Sequence, residues 1–292
     1  VDRFVFLTLD GLSRGAVYAA FALALVLIWR AARVVNFAQG AMAVATAYVA
    51  YSVSAWTGSY WLGFLAALVA GLLLGALVEV AVIRFVGHDS PLNAVIVALG
   101  LVLLIQAVLG MVYGNEFLPA TTAFSRTGYE IGGLAVLSPY DLFVFGAVAV
   151  VVVGLAWIFT RTAVGLRMRA AAFAPEVSRL LGVNVGGMLT LGWALAAGVG
   201  ALAGMLIIPT GLGLHPNAMD LVFVSAFTAA VVGGLDSPPG AVVGGLAVGL
   251  ILSYVGGYLG SDTTGLAVLV LLLAVLLVRP GGLFAATVAR RA

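Results

Sequence analysis

The chain has 292 residues, of which 64% are hydrophobic and 8% charged, with 13 basic against 11 acidic side chains for a formal net charge of +2. Globular domains are typically about 45–50% apolar and about 25% charged. So little charge cannot cover a soluble surface, which excludes most soluble enzymes, nucleic-acid binders and disordered chains and makes lipid the solvent of the outer face.

A bilayer crossing needs about 20 mostly apolar residues. The runs that qualify, in chain order, are 12–29, 34–56, 62–83, 92–111, 142–160 and 188–208. The run 12–28 has no Ala-x-Ala exit, so it reads as a span and not as a cleavable signal. Three less regular runs follow at 219–232, 241–257 and 266–278. Gly233, Gly234, Asp236, Gly240, Gly244 and Gly245, with Pro238 and Pro239 among them, are read as structural turns. This is the place for a broken or re-entrant helix. The fold expected is all-α: a polytopic membrane protein of about eight transmembrane helices (8–9), forming one domain over 1–292. The continuous runs do not show the ten-residue alternation of a barrel. The 38 glycines suit close helix packing in lipid. Trp29, Trp56 and Trp61 lie near predicted segment ends, as an interfacial belt requires.

Arginine supplies every basic charge. Arg161, Arg167, Arg169 and Arg179 crowd the 161–187 connection; Arg84 and His88 lie between the third and fourth runs; Arg279, Arg290 and Arg291 follow the last. These regions are expected inside. The 112–139 connection carries Glu116, Glu130 and Arg126 and is expected outside. Arg30 and Arg33 predict an inside turn after the first helix. The first residues then lie outside if the second run crosses fully, and inside if it is re-entrant.

Polar side chains within the apolar frame are the candidates for function. Glu79 is expected to pair with Arg84 or with an arginine of another helix. Asn36, Gln39 and Gln106 either hold helices together or line a path for a polar solute. Asp220, Asp236 and Asp262 fit caps or solvated loops, and His215 a turn. His88 and His215, far apart and without cysteine, make a poor metal set. Without lysine there is no P-loop for nucleotide. Between 170 and 184, Phe173, Val177, Leu180 and Leu181 recur near helical spacing, with Glu176 and Arg179 off the stripe and Gly182 at its end. Such a short amphipathic helix either lies on the membrane surface or docks a soluble partner.

Several stretches then resemble one family. These are Gly15 to Ile28, Arg33-Val-Val-Asn-Phe-Ala-Gln-Gly40, Glu79 before Arg84, Leu99-Gly-Leu101 with Gln106, Gly165-Leu-Arg-Met-Arg169 through Leu181-Gly-Val-Asn184, Ala226 to Gly234, the spacing Gly240 to Gly245, and Arg279-Pro-Gly-Gly-Leu-Phe284. In order and at compatible spacing, over roughly 11–284, they resemble the LivH-type permease subunits of bacterial ABC importers for branched-chain amino acids. The family commonly has His where Gln39 stands and Gly where Asp236 stands. The resemblance implies an inner-membrane transport subunit with no catalytic step and no cofactor of its own. ATP and Mg are bound by two cytoplasmic ATPase subunits, which dock on 161–187 through Arg169, Phe173, Glu176, Val177, Arg179, Leu180, Leu181 and Gly182. It also implies a second, related or identical permease and a periplasmic solute-binding protein. Close relatives carry urea or short amides, and a stand-alone secondary carrier is the competing reading.

Overall fold

A computed structural model describes residues 2–86, 91–131, 134–135, 137–211 and 213–284; His88, Arg290 and Arg291 lie outside them. The helices are α1 (Asp2–Ala32), α2 (Gln39–Thr57), α3 (Tyr60–Ala81), α4 (Pro91–Tyr113), α5 (Pro139–Arg161), α6 (Ala163–Phe173), α7 (Pro175–Leu180), α8 (Val185–Ile207), α9 (Asp220–Gly233), α10 (Pro238–Leu259) and α11 (Thr264–Val278). Two antiparallel two-residue strands, Glu130–Ile131 and Leu134–Ala135, sit in the α4–α5 connection.

Among the described residues, seven stretches are long and apolar enough to cross a bilayer: Asp2–Ala32, Tyr60–Phe85, Leu92–Tyr113, Pro139–Arg161, Val185–Thr210, Pro238–Leu259 and Ser261–Val278. The expected eight to nine included α2 and α9. The first of these is 19 residues long but less apolar. The second has only 14 residues, about 21 Å of helix at 1.5 Å per residue.

α1, α2 and α8 form the buried centre, with Phe21, Ile28, Tyr48, Trp193 and Leu206 among the large side chains sealed there. α3, α4, α5 and α11 turn rows of leucine and valine outward, as helices facing lipid do. α1 and α10 run antiparallel at very short range. A Cβ on Gly11 would lie 3.0 Å from Leu250 Cα, and one on Gly15 3.0 Å from Leu246 Cα; Cβ atoms on Gly245 and Gly249 would collide with the backbone of Ala19 and Gly15. Small residues repeat every fourth position on both helices, the spacing that lets backbones touch in a membrane.

α1 is longer than the expected 12–29. Its outer third carries charge, which hides it from an apolar window, and α10 satisfies that charge. Asp10 pairs with Arg14 at 3.0 Å and accepts from the Ser253 hydroxyl at 3.0 Å; Arg3 donates to the Gly257 carbonyl and lies over the Tyr258 ring at 5.3 Å.

The helices order the two faces. Arg33, Asp236, Arg84 and the α6–α7 segment gather at one end of the bundle, where α1, α3, α5 and α9 finish. Arg126, which donates to the carbonyls of Pro209 and Thr210, marks the other. The positive-inside rule assigns the arginine-rich end to the inner face, and the helix directions follow from that assignment. α1 therefore runs inward, and Asp2 lies at the outer end.

The chain's closing segment has a structural task. Gly282, at φ +81°, lets it turn tightly over Gly234. The amides of Leu283 and Phe284 then donate to the carbonyls of Val232 (2.8 Å) and Gly233 (3.2 Å). The end of α9 thus gains partners for carbonyls that a helix leaves open.

Candidate functional site

The 161–187 connection folds as a compact projection on the inner face. Thr162 caps α6, its hydroxyl accepting from the Gly165 amide at 3.2 Å. Pro175 then begins α7, and Ala174 before it leaves the helical region at φ −140°, ψ 75°. Residues preceding proline are pushed out of that region. The stripe expected on one helix is therefore split, with Phe173 ending α6 and Val177 and Leu180 on α7. Gly182, at φ +81°, closes α7; the amides of Gly182 and Val183 donate to the carbonyls of Arg179 (3.0 Å) and Ser178 (2.9 Å), a Schellman termination. Asn184 caps α8 through the Gly187 amide at 2.9 Å.

The tip is apolar and uncovered. Phe173 is 93% exposed, Leu180 87% and Leu181 78%, with Val177 beside them, while Ser178 points inward and is buried. Glu176, Arg179 and Arg169 are also exposed. At its base Gly165 turns too closely against Ile158 and Phe159 to accept a Cβ, and Met168 reaches the face of Gly192 on α8. The projection is thereby joined to α5 and α8.

Asn36 and Gln39 are sealed in the core, at 1% and 0% exposure. Asn36 Nδ2 donates to Gln39 Oε1 at 2.9 Å, Asn36 Oδ1 accepts from the Ala38 amide at 3.0 Å, and Gln39 Nε2 donates to the Ala196 carbonyl at 2.9 Å. Gln39 and Ala43 abut Gly200 and Gly204 of α8. Gln39 thus begins α2 beside residues 11 to 15 positions past Val185, about 16–22 Å along α8. Residues 33–38 climb from the inner face as irregular backbone, tolerated at that depth only when buried in protein. The break in the frame falls here as well as at α9. Asn36 holds the amide of Ala38, which takes the cap position of α2, and Gln39 pins this buried helix start to α8.

Gln106 is only half-buried. Its Nε2 donates to Asp220 Oδ1 at 3.0 Å, and Asn217 Nδ2 donates to Asp220 Oδ2 at 3.2 Å. Gln106 lies seven residues before the outer end of α4, about 10 Å below it. Asp220 is in the first turn of α9 and caps nothing, since Met219 holds the cap position.

Of the positions read as turns, Gly233 ends α9 and Gly234 turns at φ +99°. Asp236 accepts from Arg33 NH1 at 2.6 Å. Gly240, Gly244 and Gly245 instead lie within α10, where they provide flat contact surfaces. A Cβ on Gly240 or Gly244 would collide with carbonyls of α9, and one on Gly245 with Ala19 of α1.

Glu79 forms the pair expected with Arg84. It is fully buried and accepts from Arg84 NH2 at 2.8 Å, Arg84 Nε at 3.3 Å and the Thr190 hydroxyl at 2.6 Å. Removing one partner of a buried pair costs about 3–5 kcal/mol because the other charge is left uncompensated. Arg84→Ala is expected to cost about 3 kcal/mol, near the low end because the guanidinium is partly solvated. Glu79→Gln in the same chain should recover most of the loss. Thermal unfolding in detergent checks this, and equal midpoints for the single and double variants would contradict it.

Among the described residues no group of three or more metal-ligating side chains comes together. A multi-pass bundle with apolar crossings, two helices that start inside it and a projecting tip defines the class of a polytopic membrane protein. The chain matches, over residues 7–278, the family described as "Branched-chain amino acid transport system / permease component", and it belongs to that family. It is accordingly a transport permease and not an enzyme, and a multi-pass inner-membrane protein. It is 28% identical to the high-affinity branched-chain amino acid transport system permease protein LivH of Salmonella typhimurium, over 94% of this chain and 93% of that one. It is 26% identical to LivH of Escherichia coli K12 and 27% to BraD of Pseudomonas aeruginosa, each at the same coverage. Among solved structures, PsaBC from Streptococcus pneumoniae in complex with Fab aligns with a TM-score of 0.48 at 16% identity, covering 96% of this chain and 91% of that one.

Sequence reasoning missed the arginines at the inner mouth of α1 as a group. Arg30, Arg33 and Arg169 line one cavity of about 250 Å³ with Leu27, Phe159 and Met168. No spacing rule joins residues so far apart in the chain.

Proposed function

We propose that this chain is the translocation subunit of an ATP-driven importer for branched-chain or related amino acids. The observation that carries the proposal is the uncovered apolar tip of Phe173, Val177, Leu180 and Leu181. A surface of this kind marks a docking site. Two cytoplasmic ATPase subunits, which bind ATP and Mg, dock on it and on the flanking Arg169, Glu176, Arg179 and Gly182. A second permease, identical or related, completes the path, and a periplasmic binding protein delivers the solute to the outer face. The names of the LivH and BraD relatives support the substrate class. ATPase closure moves the tip, and α6 passes the motion to α5 and α8, on which its base rests. On this reading Gln106 and the exposed Asp220 that it bonds meet the solute, and Asn36 and Gln39 line or brace the same path.

Vesicles carrying the complex and its binding protein test the reading. Uptake of leucine, isoleucine and valine is expected to require ATP and to exceed uptake of urea or short amides. Equal uptake by the purified chain alone would make it a stand-alone carrier and overturn the proposal.

A further inference from the structure

The cavity at the inner mouth of α1 shares Arg169 and Phe173 with the coupling projection, but neither the apolar tip nor the transport path accounts for its excess of arginine. Three guanidinium-bearing residues line it, Arg30 from the last turn of α1, Arg33 just beyond it and Arg169 from α6. Leu27, Ala31, Phe159, Met168, Ala172 and Phe173 complete the wall. Arg33 is engaged, by Asp236 at 2.6 Å and by the Trp29 ring at 5.9 Å. Among the described residues no carboxylate lies within ion-pair distance of Arg30 or Arg169, and Glu176 on the neighbouring α7 pairs with neither. Three positive charges against one negative leave the pocket with a surplus of two.

Depth identifies the occupant. Leu27 lies five residues before the end of α1, about 7 Å along the helix, and Phe159 lies two before the end of α5. The apolar run of α1 ends at Ile28, so a hydrocarbon layer matched to it puts the floor at its inner edge and the arginines at the level of the lipid phosphates. Basic pockets between helices on the cytoplasmic side take anionic headgroups, and arginine matches phosphate oxygens with paired donors. A soluble partner's acidic segment would have to descend below the headgroup plane to reach Leu27. We infer that this pocket binds the phosphate of an anionic inner-leaflet phospholipid, with Arg30 and Arg169 as its ligands and Leu27, Phe159 and Met168 against the start of its acyl chains. Because Phe173 and Met168 belong both to this wall and to the projection, the lipid stands under the base of the coupling tip.

The test is lipid retention. The full-length chain is reconstituted in nanodiscs of phosphatidylglycerol and phosphatidylcholine, extracted in mild detergent and weighed by native mass spectrometry. Wild type is expected to retain phosphatidylglycerol selectively. Arg30→Gln with Arg169→Gln should reduce that retention at least tenfold, whereas Arg30→Lys with Arg169→Lys keeps most of it and Arg3→Gln, at the outer end, keeps all. Unchanged retention in the glutamine pair would overturn the inference. Should the glutamine pair not fold, delipidated wild type decides: phosphatidylglycerol must raise its thermal midpoint more than phosphatidylcholine does. Equal shifts, or equal protection by inorganic phosphate, would overturn it too.

Discussion

Leu180→Asp with Leu181→Asp should leave the membrane bundle folded and abolish solute-stimulated ATP hydrolysis in reconstituted vesicles. Both side chains stand almost wholly in water, at 87% and 78% exposure. Polar replacement there costs this chain's own fold less than about 0.5 kcal/mol. A docked ATPase would bury them. Each leucine is then worth about 2 kcal/mol of apolar burial, and each aspartate adds a charge to desolvate. Losing about 4 kcal/mol weakens docking about a thousandfold. Basal ATP hydrolysis by the free ATPase is unaffected. The readouts are uptake and the ratio of stimulated to basal hydrolysis, with the thermal midpoint as control. Full stimulation in the double variant would show that the tip is not the coupling surface.

The second large effect belongs to the α1–α10 seam. Gly249→Leu should lower the stability of the chain by more than about 3 kcal/mol, the upper end for overpacking. The added Cβ would meet Gly15 Cα and the Gly11 carbonyl. These are backbone atoms in a buried helix and cannot rotate away. Separating the helices would also break the contacts of Asp10 and Thr8 with Ser253 and Tyr254. Gly100→Ala is the internal comparison. Nothing lies within 4 Å of a Cβ built there, so alanine gains about 1 kcal/mol of helix propensity. Folded yield and thermal midpoint in detergent measure both. If Gly249→Leu and Gly100→Ala behaved alike, the seam would not be the tight contact described.

Much of this architecture is readable in the sequence because lipid simplifies the code. Uninterrupted apolar runs locate α3, α4, α5, α8 and α11. The paired glycines and prolines near 233–239 do mark the junction of two helices, with Gly233 ending α9 and Pro238 opening α10. What the sequence conceals are features made by distant residues. The charged outer turns of α1 find partners in α10, which supplies Ser253 and the Gly257 carbonyl, as well as in the Asp10–Arg14 pair. Gly244 and Gly245 look like turn residues in a one-dimensional reading, whereas in α10 they are contact surfaces against two different helices. Asn36 and Gln39 carry the polarity of a path but spend it on one another and on Ala196. The role of Arg279 to Phe284 as a clasp on α9 needs the positive φ of Gly282, which spacing alone does not reveal.

The deep start of α2 has a consequence for how the chain enters the membrane. A segment that opens with Gln39 and is too weakly apolar for a confident crossing does not insert well on its own hydropathy. Its neighbours must hold it. Arg30 and Arg33 resist export behind α1, and Arg84 does the same behind the strongly apolar α3. With both ends of the α2–α3 pair tied to the cytoplasmic side, α2 has only one course open to it. The orientation of every later helix is thus decided by three arginines before the fourth helix is made.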